Sequence, residues 1–297
     1  MATTFEVVLA CDDGRYAEQA ADAAFDELER LERELSRFVP SSDVSRVNAL
    51  GAREPVRIGA DARDCLVLAA FAHAETCGAF DPTVGALSEC WRAALAAGRE
   101  PAADELARAR GLTGLGLVRL DEEAISISLA AEGVRLDLGG IGKGYALDRM
   151  AELLADWGIR SALLHAGRSS ALALGEPPHG AAAEDADGWR VGLRDPRGGP
   201  DPMGAVVLRG GRALSGSGVA LHGPHILDPR TGRPVSGRLG AWAFAPSAGL
   251  SDALSTAFMV MSESEARACC DRNPGVGGMI LSEEAGRLVE RRFGCWG

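Results

Sequence analysis

The sequence predicts an α+β fold, sheet-rich, with helices set between clusters of strands. Two observations predict it. Short runs of β-branched and apolar residues come in groups, and stretches of helical period fall between the groups, with no regular β–α–β alternation. No internal repeat and no linker divides the chain, so residues 1–297 read as one domain. Hydrophobic residues at 46% and charged residues at 25% give an ordinary globular composition, which excludes a disordered chain.

The elements follow in order. Residues 4–10, rich in Phe and Val, read as a strand, ended by Asp12, Asp13 and Gly14. Residues 16–38 read as a long amphipathic helix, because Ala17, Ala20, Ala24, Leu28, Leu31 and Leu35 recur at helical spacing. Pro40 to Asp43 break one helix and start another. Residues 61–76 form a second long helix that Gly78 is placed to cap, and residues 101–110 a short polar one. Residues 117–120, 124–129 and 134–138 read as successive strands. A helix over 143–157 stops at Gly158. Strands follow at 161–165 and 171–174, then an exposed loop at 176–188, then strands at 189–193, 205–208 and 240–244. Residues 251–261 are helical, a shorter helix comes next, and 277–289 form a terminal hairpin.

Charge and cysteine usage narrow the function. The net charge is -11, with 42 acidic against 31 basic residues. An acidic surface repels phosphate backbones, so no nucleic-acid partner is expected. A phosphorylated small molecule held by a few local donors and a metal stays open. The seven cysteines are odd in number and lack a C-x-x-C pair, which points to free thiols and a reducing compartment. The first ten residues fit a strand better than a signal peptide. The expected location is cytoplasmic as the sequence stands, or exported if a leader was removed. No apolar run is long enough for a membrane span.

Four segments hold candidate chemistry. In Asp137-Leu138-Gly139-Gly140-Ile141-Gly142-Lys143-Gly144 a strand ends in an acid, glycines let the backbone approach a ligand, and Lys143 opens a helix. Amides, helix dipole and lysine together make a phosphate cradle, although the segment is neither a Walker A loop nor G-x-G-x-x-G. A glycine-rich turn with a solvated lysine reads equally well. Asp252 and Thr256, four apart on one helix face, suit a hard cation such as Mg²⁺. Ser251 or Asp252 acting as a plain helix cap is the competing reading. His225 stands beside the turn Asp228-Pro229-Arg230 and is the candidate general base, although a hydrogen-bonded turn histidine reads equally well. His73 and His179 read as structural or solvated. Phe80 in Gly78-Ala79-Phe80-Asp81 covers either an aromatic ring or a core. No serine-hydrolase elbow or H-E-x-x-H zinc motif occurs.

The order of these segments carries more than any one of them. Leu35-Ser36-Arg37-Phe38 and Ser42-Asp43-Val44-Ser45 come first, then Gly78-Ala79-Phe80-Asp81-Pro82-Thr83 and the Asp137–Gly144 segment. Ser215-Gly216, His225-Ile226-Leu227-Asp228-Pro229 and Asp252-Ala253-Leu254-Ser255-Thr256 follow. This succession resembles the ApbE family of FAD:protein FMN transferases over nearly the whole chain. The resemblance implies an α+β body with a second subdomain and FAD in the cleft between them. It implies that Met1 and Phe38 lie near the flavin or adenine, that Ala79, Phe80 and Asp81 contact FAD, and that Asp137, Lys143 and Ile226 bind the dinucleotide. The Gly140 carbonyl, Asp252, Thr256 and Ser255 would hold Mg²⁺, and His225 would activate the acceptor. The implied reaction moves the FMN half of FAD onto a Thr or Ser of a flavin-carrying redox subunit, a transient partner, and releases AMP.

Two stretches depart from the family pattern, and in one of them Leu214-Ser215-Gly216-Ser217 stands for a more usual Thr-Ser-Gly-acid run. In the other, an Asn-x-Gly-Gly-Asp-like run is replaced by His165-Ala166-Gly167-Arg168-Ser169-Ser170. Two alternatives follow from these departures: an FAD hydrolase yielding FMN and AMP, and a non-catalytic FAD binder.

Overall fold

The computed structural model describes residues 3–178, 188–199, 201–218 and 226–296. The chain enters through β1 (Phe5–Leu9) and runs into α1 (Gly14–Leu35), whose first amides are held by the Asp13 carboxylate. The helix stops three residues short of the expected end, where Ser36 is extended and a turn over 36–39 follows, closed by the Val39 amide donating to the Ser36 carbonyl. Next come α2 (Asp43–Asn48), capped by the Ser42 hydroxyl, β2 (Val56–Arg57), α3 (Ala60–Glu75), α4 (Gly85–Ala96) and α5 (Ala103–Gly111). The sequence reading had no counterpart for α4, although its buried face of Ala86, Leu87, Trp91 and Ala94 has helical period. Strands β3 (Val118–Asp121) and β4 (Ser126–Leu129) pair with each other, and β4 also takes β2, to give a small antiparallel sheet.

The strand expected at 134–138 does not form. This segment makes only one isolated parallel bridge, from Arg135 to Val84. Its backbone is satisfied by other means. The Asn48 amide group donates to the Leu136 carbonyl at 2.9 Å and accepts from the Leu136 amide at 2.6 Å, so one side chain does the work of a neighbouring strand. Asp137 in turn donates its amide to the Pro82 carbonyl at 2.7 Å.

The second half builds the main sheet. After α6 (Gly142–Asp156) come β5 (Ala162–Ala166), β6 (Ser170–Leu174), β7 (Trp189–Arg194), β8 (Pro202–Leu208) and β9 (Ala213–Gly218). Then follow β10 (Leu227–Asp228), β11 (Arg233–Pro234), β12 (Arg238–Ala245), α7 (Ala248–Val260), α8 (Glu263–Arg272) and the hairpin β13 (Gly277–Glu284) with β14 (Arg287–Gly294). Seven strands join in the order β1-β5-β6-β9-β12-β13-β14, every pair antiparallel. Central β9 was missed because Ser215-Gly216-Ser217-Gly218 has none of the β-branched residues that mark a strand. Most of the loop expected at 176–188 lies outside the described residues.

Both faces of the sheet are covered. Along β12, Ala241, Ala243 and Ala245 face the core that α7 shares, while Trp242 faces the opposite side. Period-two alternation puts Leu164 and Leu172 under α1 and α6, and Leu163 and Ala171 under the β7–β8 ribbon. The three alanines let α7 lie close to the sheet. This fixes the floor of the cleft described next.

Candidate active site

A cleft of about 540 Å³ opens where the glycine loop, the start of α6, the second turn of α7, the 79–81 turn and the end of β9 meet. That volume is typical of a small-molecule site. Phe38, Ala79, Phe80, Asp81, Asp137, Gly140, Lys143, Ile226, Asp252 and Thr256 all line it. Ser255 does not. Its hydroxyl is fully buried, donating to the Asp252 carbonyl and sharing a hydrogen bond of 2.9 Å with Ser217. Met1 and His225, like His179, lie outside the described residues.

The helix that carries Asp252 settles the capping question. Helix α7 begins at Ala248, three residues earlier than the sequence suggests, and its cap is Ser247, whose hydroxyl accepts from the Leu250 amide. Ser251 donates to the Ala243 carbonyl on β12. Asp252 therefore lies inside the helix, 2% exposed, and its carboxylate turns to the neighbouring α6. There Lys143 Nζ stands 3.1 Å from each Asp252 oxygen and 3.2 Å from the Gly139 carbonyl, and the Gly144 amide donates to Asp252 Oδ2 at 3.2 Å.

The glycine loop is shaped by packing as much as by any ligand. A Cβ on Gly144 would meet the Ala248 carbonyl oxygen at 2.0 Å, so the residue exists to let α6 touch the start of α7. Gly140 faces the site itself, and a Cβ there would lie 3.2 Å from Thr256 Oγ1 and 3.3 Å from the Phe80 ring. Four amides expected to cradle phosphate already have partners. Gly139 donates to Asp137, Ile141 and Gly142 to the Leu138 carbonyl, and Gly144 to Asp252. Lys143 and the dipole of α6 are the positive features left at this end of the cleft.

The remaining walls are largely prearranged. Arg37 forms an ion pair of 3.0 Å with Asp137 and lies 4.8 Å from the centre of the Phe38 ring, which is itself 74% exposed. Phe38 is a large aromatic face left uncovered beside a cationic group, an arrangement suited to stacking a planar ring. Phe80 is core and wall at once, packed inside yet bordering the cleft. Asp81 accepts from the amide and hydroxyl of Thr83, and His73 Nδ1 lies 3.3 Å from its other oxygen. His73 is thereby structural, as expected. Thr256 Oγ1 lies 3.2 Å from Ser217 Oγ.

Trp242 and Arg194 escaped the sequence reading, whereas Gly216 and Ser217 stand in a run that it singled out. Trp242 lies across Gly216, where a Cβ would come within 2.7 Å of the indole. Ser217 ties β9 to Ser255 and Thr256, and Arg194 comes from the ribbon. The only signal for Trp242 is alternation along β9 and β12, which is unreadable until β9 is recognised. Arg168 and Ser169, the departing pair, do line the cleft.

A metal must be compatible with these donors. Among the described residues no cluster of three His, Cys, Asp or Glu could hold an ion. Asp252, the Thr256 hydroxyl and the adjacent Gly140 backbone give one carboxylate and neutral oxygens. That set suits Mg²⁺, which commonly takes one or two carboxylates and completes its shell with water and substrate phosphates. It does not suit zinc.

Comparison with known proteins agrees with this geometry. The model of the ApbE family matches residues 1–280. The chain belongs to the ApbE family. A curated FAD:protein FMN transferase from Treponema pallidum is 30% identical over 279 residues, covering 88% of this chain and 76% of that protein. The flavinyl transferase ApbE of Pseudomonas stutzeri, solved in its apo form, superimposes with a TM-score of 0.83 at 27% identity, over 99% of this chain and 92% of that one. The ApbE protein of Thermotoga maritima does so with a TM-score of 0.81 at 29% identity, over 97% and 93%. The α+β class and the ApbE architecture expected from the sequence are therefore those of the molecule. No helix among the described residues is long and apolar enough to cross a membrane.

Proposed function

We propose that this ApbE-family chain is an FAD:protein FMN transferase, acting as one unit over residues 1–297. The observation that carries this is the meeting of Lys143, Asp252 and Thr256, from two helices, on the floor of a cleft whose rim presents Phe38. FAD is the substrate. Phe38, Ala79 and Phe80 would flank its rings, and Asp81, Asp137 and Ile226 would set its position from the walls. Lys143 would hold the phosphate oxygens in line, and Met1 would approach the flavin or adenine. Asp252, Thr256, the Gly140 carbonyl and, through its neighbours, Ser255 would hold Mg²⁺. Bound there, Mg²⁺ would neutralise charge on the phosphates and on the leaving AMP. His225 would take the proton from the acceptor hydroxyl. The phosphoanhydride bond breaks, a phosphoester forms between FMN and a Thr or Ser, and AMP leaves. The acceptor is a flavin-carrying protein subunit that binds transiently. The seven free thiols favour a reducing, cytoplasmic setting.

Incubation with FAD, Mg²⁺ and a threonine-bearing acceptor domain, followed by intact mass, tests this. The expected result is a mass gain of one FMN phosphoester, lost in Asp252→Ala and His225→Ala. FMN and AMP released with no gain on an acceptor that another family transferase does label would identify a hydrolase. The presence of Arg168 in the cleft wall favours a second possibility, a flavin-binding protein without turnover. Tight FAD binding with no product would establish that one instead.

A further inference from the structure

Lys143 is the only lysine in the chain, since 30 of the 31 basic residues are arginine. A guanidinium serves every other position that needs a positive charge, and this one takes an ammonium. The geometry gives the reason. Nζ is surrounded by three oxygens, both of Asp252 and the carbonyl of Gly139, at 3.1 to 3.2 Å. That is the setting of a small compact cation. An ammonium with three tetrahedral donors fills it, whereas a planar guanidinium fork does not.

Asp252 is also the carboxylate assigned above to the metal. A charge so deeply buried needs a counter-ion at all times. Lysine and divalent cation therefore compete for the same oxygens. Lys143 keeps 24% of its side chain exposed and lines the cleft, so it can swing away from Asp252 without losing contact with the site. The other acids of the cleft are already engaged, Asp137 with Arg37 and Asp81 with Thr83. An incoming phosphate is the anion left for it to meet.

We propose that Lys143 is the resident counter-ion of the metal carboxylate, and that it makes metal and dinucleotide bind together. The ammonium holds Asp252 until phosphate oxygens draw it off, and only then does the carboxylate become available to a divalent cation. This inference rests on the metal assignment proposed above. Linkage requires the coupling to be mutual, so a divalent cation tightens FAD binding by the same factor.

The test is Mn²⁺ binding to the full chain, read by EPR of the free ion, with and without FAD, for wild type, Lys143→Gln and Lys143→Arg. Wild type is expected to bind Mn²⁺ at least about tenfold more tightly with FAD than without it. Lys143→Gln is expected to bind Mn²⁺ without FAD at least about tenfold more tightly than wild type, because the competing charge is gone. Lys143→Arg keeps the charge but not the three tetrahedral donors, and is expected to bind Mn²⁺ without FAD more tightly than wild type and less tightly than Lys143→Gln. If Lys143→Gln binds no more tightly than wild type, the inference is overturned, while the metal assignment stands as long as wild type binds Mn²⁺ with FAD. No binding in any combination overturns both. Should Lys143→Gln not fold, wild type decides the matter. As the sole lysine it gives a single lysine ¹³Cε resonance, which should move on adding Mg²⁺ only when FAD is present. An equal shift with Mg²⁺ alone, or none with both, overturns the proposal.

Discussion

A buried carboxylate must be neutralised or hydrogen-bonded, and Asp252 has both the Lys143 ammonium and the Gly144 amide. The two members of this pair are unequal. Lys143 can reach solvent, whereas Asp252 cannot. Asp252→Asn should therefore destabilise the fold by only about 1–2 kcal/mol. Lys143→Met strands a buried charge and should cost about 3–5 kcal/mol. Urea unfolding of both variants checks the asymmetry, and equal costs would contradict it. At this scale the sequence placed Asp252 and Thr256 on one face correctly, because helical spacing alone fixes that. It left open whether Asp252 was only a cap, since Ser251 and Asp252 are both good cap residues. The Ser247 cap and the hydrogen bond from the Ser251 hydroxyl to the Ala243 carbonyl of β12 resolve this, and the second is a tertiary contact. The Arg37–Asp137 pair and the Trp242 wall were equally out of reach, being contacts between residues far apart in sequence.

The site is assembled by the crossing of α6 on α7, and two contacts hold it. Gly144 gives the close approach, so Gly144→Ala must push the helices apart against backbone, not against a flexible side chain. A loss of about 2–3 kcal/mol is expected, together with loss of the Lys143–Asp252 contact. Thermal unfolding and Mn²⁺ binding measure the two effects. The second contact is Asp148 of α6, whose carboxylate accepts from the first amides of α7, Ala248 at 2.7 Å and Gly249 at 2.8 Å. Burial pushes this carboxyl up to about 6, against the pull of those two amides. The folded protein thus holds the proton more tightly than the unfolded chain, whose carboxyl titrates near 4. Its contribution to stability is full below about pH 4 and is lost as pH rises through about 6, a change of up to about 3 kcal/mol. The stability of wild type relative to Asp148→Asn should therefore fall between pH 4 and pH 7, and a flat difference would refute the shift. The helices α1, α3 and α6 were legible in sequence, α1 by its strong apolar period. The false strand at 134–138 has the right residues for β structure, but its pairing partner is the side chain of Asn48. No local pattern announces such a substitute. Asn48→Ala should cost about 1–3 kcal/mol, because it leaves the Leu136 amide and carbonyl unpaired.

On the scale of the whole molecule, one core joins the two ends of the chain. Leu31 and Leu35 of α1 belong to the same cluster as Phe258 of α7 and Phe293 of β14, and so do Cys65 of α3 and Cys269 and Cys270 of α8. Burial pushes all three thiols up, Cys269 to about 11 and Cys270 to about 12, so they are protonated and shielded at neutral pH. Cys11, Cys77 and Cys295 are exposed. A thiol reagent at neutral pH should label those three first and leave Cys65, Cys269 and Cys270 untouched. Cys65 and the α8 pair are far apart in sequence and on different helices, yet they share one interior. If residues 1–297 fold as one unit, they must become reactive at the same denaturant concentration, in a single transition that matches loss of the helical signal. Labelling across a urea series, mapped by peptide mass, gives the midpoint for each cysteine. Separate midpoints for Cys65 and for Cys269 with Cys270 would divide the chain into two folding units. The Lys143–Asp252 pair would then lie within the later unit, and the 79–81 wall of the cleft would belong to the one that carries Cys65.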